Sequence, residues 1–369
     1  IRQAAALINN AKRPFILVGQ GVELGGAQEE VRQLIERADI PAGCTLLGLS
    51  ALPSDHPLNM GMLGMHGSLA NSIKTQECDV LIAVGMRFDD RITGKLSTYA
   101  RQAKKIHFEI DPSEVNKNVP VDVAVLGNCK QTLAQVLEQV KPNRHTEWID
   151  SFGEHHEREK EAVIEPEIHP ADGPIKMGEV VRKVTEMTGN KAVLVTDVGQ
   201  NQMFGARYSR FNSTRSFITS GGLGTMGFGL PAAIGAKLGM PGREVVAILG
   251  DGGFQMTIQE LGTIKQEQLG LKIVVLNNSY LGMVRQWQQL FHDRRYSFTP
   301  MDNPDFTMIA SAYGIPADRV SDPAELPGAM RKLADAPGPY FLEVVVRPEE
   351  NVFPMVPAGE SLSNVMCKE

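Results

Sequence analysis

Cysteine is scarce in this sequence, and the few cysteines stand apart from one another. Among the 369 residues there are four, Cys44, Cys78, Cys129 and Cys367, and no two have the Cys-x-x-Cys spacing. Disulfide frameworks and zinc sites need more cysteines or closer ones, so neither is indicated. The scarcity fits a reducing compartment, and we expect a cytoplasmic protein.

Long runs of one kind of residue are also missing. No apolar stretch approaches the roughly 20 residues of a membrane-spanning helix, and no signal-peptide pattern is visible. The formal net charge is −6 without a long basic run, which argues against nucleic acid and membranes as partners. The sequence begins at Ile1 inside an amphipathic segment, so we expect a processed chain or a piece of a longer one.

The overall composition is that of an ordinary globular protein, with 42% hydrophobic and 22% charged residues. The length predicts two domains with separate cores. Apolar runs alternate with helical segments in both halves, which predicts an α/β class with two doubly wound parallel sheets. We place the first domain at 1–144, a polar linker at 145–173, and the second domain, ending in a mobile tail, at 174–369.

Two apolar runs in the second domain are each followed by a polar residue. The runs 244–249 and 272–276 suit buried parallel strands, and 254–268 is long enough for a crossover helix. Asp251 follows the first run and Asn278 follows the second. Parallel strands end at the same edge of a sheet, so both side chains should face one ligand site.

The residue types at this edge favour magnesium and phosphate. A carboxylate, an amide oxygen and the Tyr280 backbone carbonyl would supply the oxygen ligands that Mg²⁺ prefers. Gly252 and Gly253 lack side chains, so a phosphate could approach the backbone there. Together these positions resemble the thiamine-diphosphate motif.

The first domain also carries glycine-rich and charged loops after its apolar runs. Gly19 and Gly21 follow the first run, but Leu24 stands where a dinucleotide fingerprint has its third glycine, so a nicotinamide site is not indicated. The loop 85–91 combines arginine with acids and suits a nucleotide. A solvated rim explains these residues equally well.

A more specific resemblance comes from the residues that follow the metal motif. Residues 220–231 and 250–287 resemble the diphosphate-binding domain of the acetohydroxyacid synthase (acetolactate synthase) family, above all in the stretch Leu-Gly-Met-Val-Arg-Gln-Trp-Gln at 281–288. The first domain, through 61–67 and 87–91, resembles that family's central FAD domain. The resemblance covers essentially the whole chain.

This resemblance implies a set of site residues. The Mg²⁺ ligands would be Asp251, Asn278 and Tyr280, and the catalytic side chains Met226, Met283 and Trp287. Thiamine diphosphate would contact Val198, Gly199, Gln200, Asn201, Gly224, Met226, Gly252 and Gly253. The family often has histidine where Asn201 stands, and an amide can still donate to phosphate. FAD would contact Gly19, Gly21, Thr45, Leu46, Met65, His66, Gly85, Arg87, Asp89, Arg91, Glu109, Ile110, Gly127 and Asn128.

The resemblance also implies an activity. Pyruvate would be decarboxylated on thiamine diphosphate, and the two-carbon unit joined to pyruvate or 2-ketobutyrate, the first common step of branched-chain amino acid biosynthesis. The implied assembly is a homodimer or tetramer with a small regulatory subunit. Members of the family begin with a further domain that carries the cofactor-activating glutamate, so we expect this chain alone to be inactive. Glu260 is interpreted as structural.

Two alternatives remain open at this point. One is another FAD-linked thiamine-diphosphate enzyme, of the pyruvate oxidase or glyoxylate carboligase type. The other is a cofactor-binding fragment without turnover.

Overall fold

The computed structural model describes all of residues 1–369, which fold into two compact units. Unit 1 comprises residues 1–164 and 353–368, and unit 2 comprises residues 165–352 and Glu369. Each unit contains one six-stranded parallel sheet with helices around it, which confirms the predicted α/β class. No helix combines the length and the apolar character that crossing a bilayer requires.

The strands of unit 1 are arranged in the order β3-β2-β1-β4-β5-β6. They are β1 (Pro14–Val18), β2 (Ala42–Cys44), β3 (Asn59–Met62), β4 (Val80–Val84), β5 (Lys104–Glu109) and β6 (Val123–Leu126). The helices are α1 (Arg2–Asn10), α2 (Gln20–Leu24), α3 (Gln28–Ala38), α4 (Leu69–Thr75), α5 (Asp90–Thr93), α6 (Cys129–Leu137), α7 (Thr146–Asp150) and α8 (Gly153–Glu159), with short 3-10 turns at Leu46–Gly48, Leu96–Thr98 and Pro112–Glu114 and a π-helical turn at Lys160–Ile164. The strand order reverses between β1 and β4, which is where doubly wound sheets bind ligands.

The sheet of unit 2 has the order β11-β12-β10-β9-β7-β8. Its strands are β7 (Val193–Thr196), β8 (Phe217–Ile218), β9 (Val245–Gly250), β10 (Lys272–Asn277), β11 (Ala317–Val320) and β12 (Tyr340–Val345). Its helices are α9 (Glu165–Ile168), α10 (Met177–Met187), α11 (Gln200–Tyr208), α12 (Gly229–Gly239), α13 (Asp251–Met256), α14 (Leu261–Gln266), α15 (Gly282–Phe291), α16 (Phe306–Ala312) and α17 (Leu326–Asp335), with a 3-10 turn at Ile258–Glu260.

Both sheets are buried on both faces, as the continuous apolar runs predict. Along β1 every residue is buried, and alternate side chains enter different cores: Ile16 and Val18 pack into one cluster, Phe15 and Leu17 into another. In unit 2, β10 is likewise buried at every position. Sheets covered on both faces leave their strand ends as the free surface for ligands.

The observed limits of the units differ from the predicted domain limits of 1–144, 145–173 and 174–369. The predicted linker is largely helical, because α7, α8 and α9 lie within it. The predicted mobile tail is instead packed: Val356 and Leu362 are buried in a core of unit 1. Its apolar residues follow neither a helical nor a strand period, so the pattern did not reveal their burial. The predicted crossover helix at 254–268 is divided into α13, a 3-10 turn and α14.

Candidate cofactor site

A small cleft of about 60 Å³ lies in unit 2 and includes residues at the carboxyl ends of β9 and β10. It brings together most of the residues predicted for thiamine diphosphate and magnesium. Those that line it are Val198, Gly199, Gln200, Asn201, Met226, Asp251, Gly252, Gly253, Asn278, Tyr280 and Met283. Gly224 and Trp287 are outside this lining.

Asp251 is a buried carboxylate whose hydrogen-bond partners are neutral. Its side chain is 2% exposed; Oδ1 accepts from the Gly252 N–H at 3.0 Å, and Oδ2 from Asn303 Nδ2 at 2.8 Å. Burial raises the pKa of this carboxyl to about 6, although the hydrogen bonds oppose the shift. A buried negative charge without a cationic partner is costly, and a bound divalent cation would supply the missing charge. The donor set therefore fits Mg²⁺.

Asn278 faces the same cleft and is fixed by two contacts. Its Nδ2 donates to Gln200 Oε1 at 3.2 Å, and its Oδ1 accepts from the Tyr280 N–H at 3.2 Å. Gln200 is held in turn, because its Nε2 donates to Gln286 Oε1 at 3.1 Å and to the Glu350 carbonyl. These bonds link the start of α11 to the loop after β10, so both walls of the cleft are positioned together.

Glycine is required by close packing at several points of the cleft. A Cβ at Gly253 would lie 2.2 Å from Asp197 Oδ1, and one at Gly282 would lie 2.1 Å from Gln200 Oε1. Gly199, which precedes α11, has a φ of 125°, a conformation that side chains disfavour. The first N–H groups of α11 have no acceptor within the helix and no side-chain cap at Gly199, and such a helix start suits an anion such as diphosphate.

Asn201 also lines the cleft, and its amide is held by a contact within the chain. Its Nδ2 donates to the Val198 carbonyl at 3.3 Å, while the buried Oδ1 has no hydrogen-bond partner. An unpaired buried acceptor calls for a donor, which a ligand or a water could provide. A direct Asn201 contact with phosphate stays a prediction.

Two residues that organise the cleft were not among the predicted site residues. Asp197 is 1% exposed and accepts from the N–H groups of Val198, Gly227 and Gly229, and so fixes the glycine-rich loop. Its place directly after an apolar strand, like that of Asp251, was an available signal. Asn303 bridges Asp251 Oδ2 and Asn277 Oδ1, and an isolated loop asparagine gives no sequence signal.

The three predicted catalytic side chains occupy different environments. Met226 and Met283 line the cleft, and both are half-buried. Trp287 lies one turn further along α15, half-buried, with its ring 5.0 Å from that of Phe291. The structure thus places two of the three at the cleft and Trp287 beside it on the same helix.

A buried carboxylate pair is joined to the cleft through backbone contacts. Lys176 Nζ lies 3.4 Å from Glu167 Oε2 and 3.5 Å from Glu350 Oε1, and all three side chains are largely buried. Glu167 Oε1 accepts from the Gly178 N–H at 2.8 Å. Burial and, after it, the neighbouring Glu350 carboxylate raise the pKa of Glu167, which favours a protonated Glu167 beside Glu350.

The residues predicted for FAD lie at the carboxyl edge of the sheet in unit 1 or in loops leaving it. They follow β1 (Gly19, Gly21), β2 (Thr45, Leu46), β3 (Met65, His66), β4 (Gly85, Arg87, Asp89, Arg91), β5 (Glu109, Ile110) and β6 (Gly127, Asn128), with Glu109 as the last residue of its strand. Six strand ends thus contribute to one edge, which includes the reversal between β1 and β4.

Several of these residues already have a role within the chain. A Cβ at Gly19 would lie 2.3 Å from the Gly85 carbonyl oxygen, and one at Gly21 would lie 2.7 Å from Gly85 Cα. Asp89 caps α5, and Glu109 Oε1 accepts from the N–H groups of Ile110 and Asp111. The loops therefore need these residue types for packing, and flavin contacts stay a prediction.

Comparison with known protein families matches both units. Residues 197–344 match the C-terminal TPP binding domain of thiamine pyrophosphate enzymes, and residues 1–136 match the central domain of the same enzymes. The chain belongs to the thiamine pyrophosphate enzymes. The cofactor of this family is the one that the cleft residues predict.

Individual relatives are acetolactate synthases. The isozyme 2 large subunit of Escherichia coli strain K12 is 44% identical over 372 residues, covering 100% of this chain and 66% of that subunit. The Mycobacterium bovis enzyme is 41% identical over 380 residues, covering 100% and 61%. Acetolactate synthase 1 of Oryza sativa subsp. japonica, chloroplastic, is 37% identical over 377 residues, covering 99% and 58%. These matches confirm the predicted resemblance, and the chain spans 58–66% of the length of these relatives.

Proposed function

We propose that the cleft of unit 2 holds the diphosphate end of thiamine diphosphate through Mg²⁺. Asp251, Asn278 and the Tyr280 carbonyl would be the protein ligands of the cation. When bound, the cofactor supplies an electron sink for cleaving the bond next to a keto group. The observation that supports this most directly is the buried Asp251 carboxylate, whose charge has only neutral partners.

The chain's own residues would bind the cofactor, orient it and shield its reactive ring from water. Gln200 and Asn278 fix the two walls of the cleft through their 3.2 Å hydrogen bond. Gly252 and Gly253 keep the floor open for phosphate oxygens. Met226 and Met283 present apolar surface beside the cleft, which would shape the cofactor and exclude water from its reactive ring.

We propose that the protein to which this chain belongs is an acetolactate synthase. It would decarboxylate pyruvate and join the two-carbon unit to pyruvate or 2-ketobutyrate, in branched-chain amino acid biosynthesis. The support is a 44% identity to an acetolactate synthase large subunit across the whole chain, combined with the position of all three predicted metal ligands at one cleft.

We also propose a second cofactor, a cellular location and an assembly for this enzyme. FAD would bind at the carboxyl edge of the sheet in unit 1, where Arg87 and Arg91 are exposed to solvent. The enzyme would be a cytoplasmic homodimer or tetramer with a small regulatory subunit. A sheet edge suited to a nucleotide supports the FAD site. Low cysteine content supports the cytoplasmic location.

The test uses the protein that contains this chain, with Mg²⁺, thiamine diphosphate and FAD present. Incubation with pyruvate should yield acetolactate, without reduction of an external electron acceptor. Asp251→Asn should abolish the product, whereas Asp302→Asn, an exposed neighbour in the same unit, should not. Reduction of the acceptor with acetate as product would instead assign an oxidase.

A further inference from the structure

We propose that unit 1 contains a second ligand site, a pocket for a small oxyanion at the amino end of β5. The pocket has a volume of about 390 Å³, within the range of small-molecule sites. Lys105, Arg101 and Tyr99 line it, together with the apolar side chains of Leu96, Val119 and Pro120. This site is separate from the proposed function and does not depend on it.

Lys105 is the first reason to expect an anion. Its side chain is 9% exposed, and its Nζ donates to one acceptor, the Ala103 carbonyl, at 3.1 Å. An ammonium group carries three donors, so two are left unused. Burial lowers the pKa of Lys105, and the negative charge of Asp122 opposes that shift only in part.

Asp122, which precedes the neighbouring strand β6, already has a hydrogen-bond partner at each carboxylate oxygen. Asp122 Oδ1 accepts from Lys104 Nζ at 2.7 Å, and its Oδ2 accepts from the Lys105 backbone N–H at 2.9 Å. Both carboxylate oxygens are therefore engaged, and the Lys105 ammonium forms no ion pair with Asp122.

A second buried lysine shows what a purely structural role looks like. Lys272, at the start of β10, is 4% exposed, and its Nζ donates to the carbonyls of Ala336 and Gly338. That ammonium closes a loop and faces two acceptors. Lys105 Nζ donates to only one acceptor, and this residue lines a pocket.

Tyr99 and Arg101 line the same pocket. Tyr99 is 3% exposed, yet its hydroxyl has no hydrogen-bond partner. Burial raises the pKa of this phenol, so it remains a protonated donor. Arg101 is exposed and forms no ion pair. An ammonium, a guanidinium and a phenol beside an apolar wall suit a carboxylate or phosphate on a short hydrocarbon body.

The pocket lies away from the edge predicted to bind FAD. Lys105 is the second residue of β5, whereas Glu109 ends that strand. Four residues of strand correspond to roughly 13 Å. The two sites would therefore be occupied independently.

Calorimetric titration at constant ionic strength tests the proposal, with inorganic phosphate and isobutyrate as the two probes and with the protein first saturated with Mg²⁺, thiamine diphosphate and FAD, so that the other proposed sites are filled. One probe or both should bind with one site per chain, and the probe that binds identifies the source as phosphate or carboxylate. Lys105→Met and Arg101→Ala should each weaken binding about tenfold or more, and Tyr99→Phe several-fold. Lys117→Ala, which removes an exposed positive charge paired with Glu114, should leave binding unchanged.

Two results would overturn the site. Neither probe binds, or Lys117→Ala weakens binding as much as Lys105→Met, which would indicate diffuse surface charge. Because Arg101 is exposed, its variant should fold even if Lys105→Met does not. The titration follows binding and not turnover, and Tyr99, Arg101 and Lys105 lie outside the cleft of unit 2, so its failure would leave the proposed function untouched.

Discussion

Replacing Glu167 by glutamine should stabilise unit 2, and the gain should grow as the pH rises. Glu167 shares Lys176 with the Glu350 carboxylate, so the buried cluster has two acids and one base. A glutamine would keep an acceptor for the Gly178 N–H and could donate to Glu350, as the protonated acid does. The variant would therefore fold without taking up a proton at this position.

The direction of the pH dependence follows from the direction of the pKa shift of Glu167. The folded pKa of Glu167, about 9, lies above its ordinary value of 4.5, so the folded state binds the proton more tightly. The stabilising contribution is complete below pH 4.5 and is lost as the pH rises towards 9. Within that window the folded wild type keeps a proton that its unfolded state has lost, so the wild type should lose stability relative to the variant as the pH rises. From pH 6 to pH 8 the difference in unfolding free energy should grow by roughly 2–3 kcal/mol.

Urea unfolding of both proteins at pH 6, 7 and 8 measures this difference. Glu186→Gln, an exposed acid on α10, is the matched control and should show a pH profile parallel to the wild type. Infrared spectroscopy should also show a protonated carboxyl band that disappears in Glu167→Gln. Parallel profiles for Glu167→Gln and wild type, with no such band, would mean that both acids are ionised and would refute the reasoning.

Three further substitutions test the cleft and the helix that follows it. Asp251→Ala should weaken Mg²⁺-dependent binding of thiamine diphosphate about 100-fold, because the cation loses its charged ligand; unchanged affinity in calorimetry would reject the assignment. Arg285→Met should lower the unfolding free energy by about 2–4 kcal/mol, because this fully buried guanidinium donates to the Glu350 carbonyl at 2.7 Å, and Arg285→Lys should be intermediate in urea unfolding. Equal stability of all three proteins would contradict that role. Trp287→Leu should reduce the preference for 2-ketobutyrate over pyruvate about tenfold, read as the product ratio in competition, since one methylene in an apolar pocket is worth roughly 1–3 kcal/mol. The same loss in Phe291→Leu would point to helix packing instead of acceptor contact.

The sequence was informative where burial is continuous. β10 was predicted at 272–276 and is observed at Lys272–Asn277, because a strand covered on both faces must be apolar throughout. The edge strands β3 and β6 were not predicted. The sequence of β3, Asn-Met-Gly-Met, contains an asparagine and a glycine and so forms no apolar run. The sequence of β6, Val-Ala-Val-Leu, is apolar but only four residues long, and its second and fourth side chains are exposed.

In the cleft, too, some contacts could be predicted from the sequence and others could not. Asp251 and Asn278 could be paired from the sequence, because parallel strands bring their ends to one edge. Asn303 could not, since it reaches Asp251 from a loop 52 residues away and no local pattern marks it. The orientation of the Asn201 amide was also beyond reach, as it depends on competition between the Val198 carbonyl and a ligand.

The return of residues 353–368 to unit 1 has a consequence for synthesis on the ribosome. Val356 and Leu362 belong to a core of unit 1, and the Val356 N–H donates to the Met65 carbonyl at 2.8 Å. At roughly 5–20 residues per second, the ribosome makes residues 165–352 in roughly 10–40 s before residues 353–368 emerge. Of the two units, unit 1 therefore begins to emerge before unit 2 but is completed after it, and for that interval its unfilled core is open to chaperones. A nonsense mutation that removes residues 353–368 should then damage unit 1, although most of that unit is encoded far upstream.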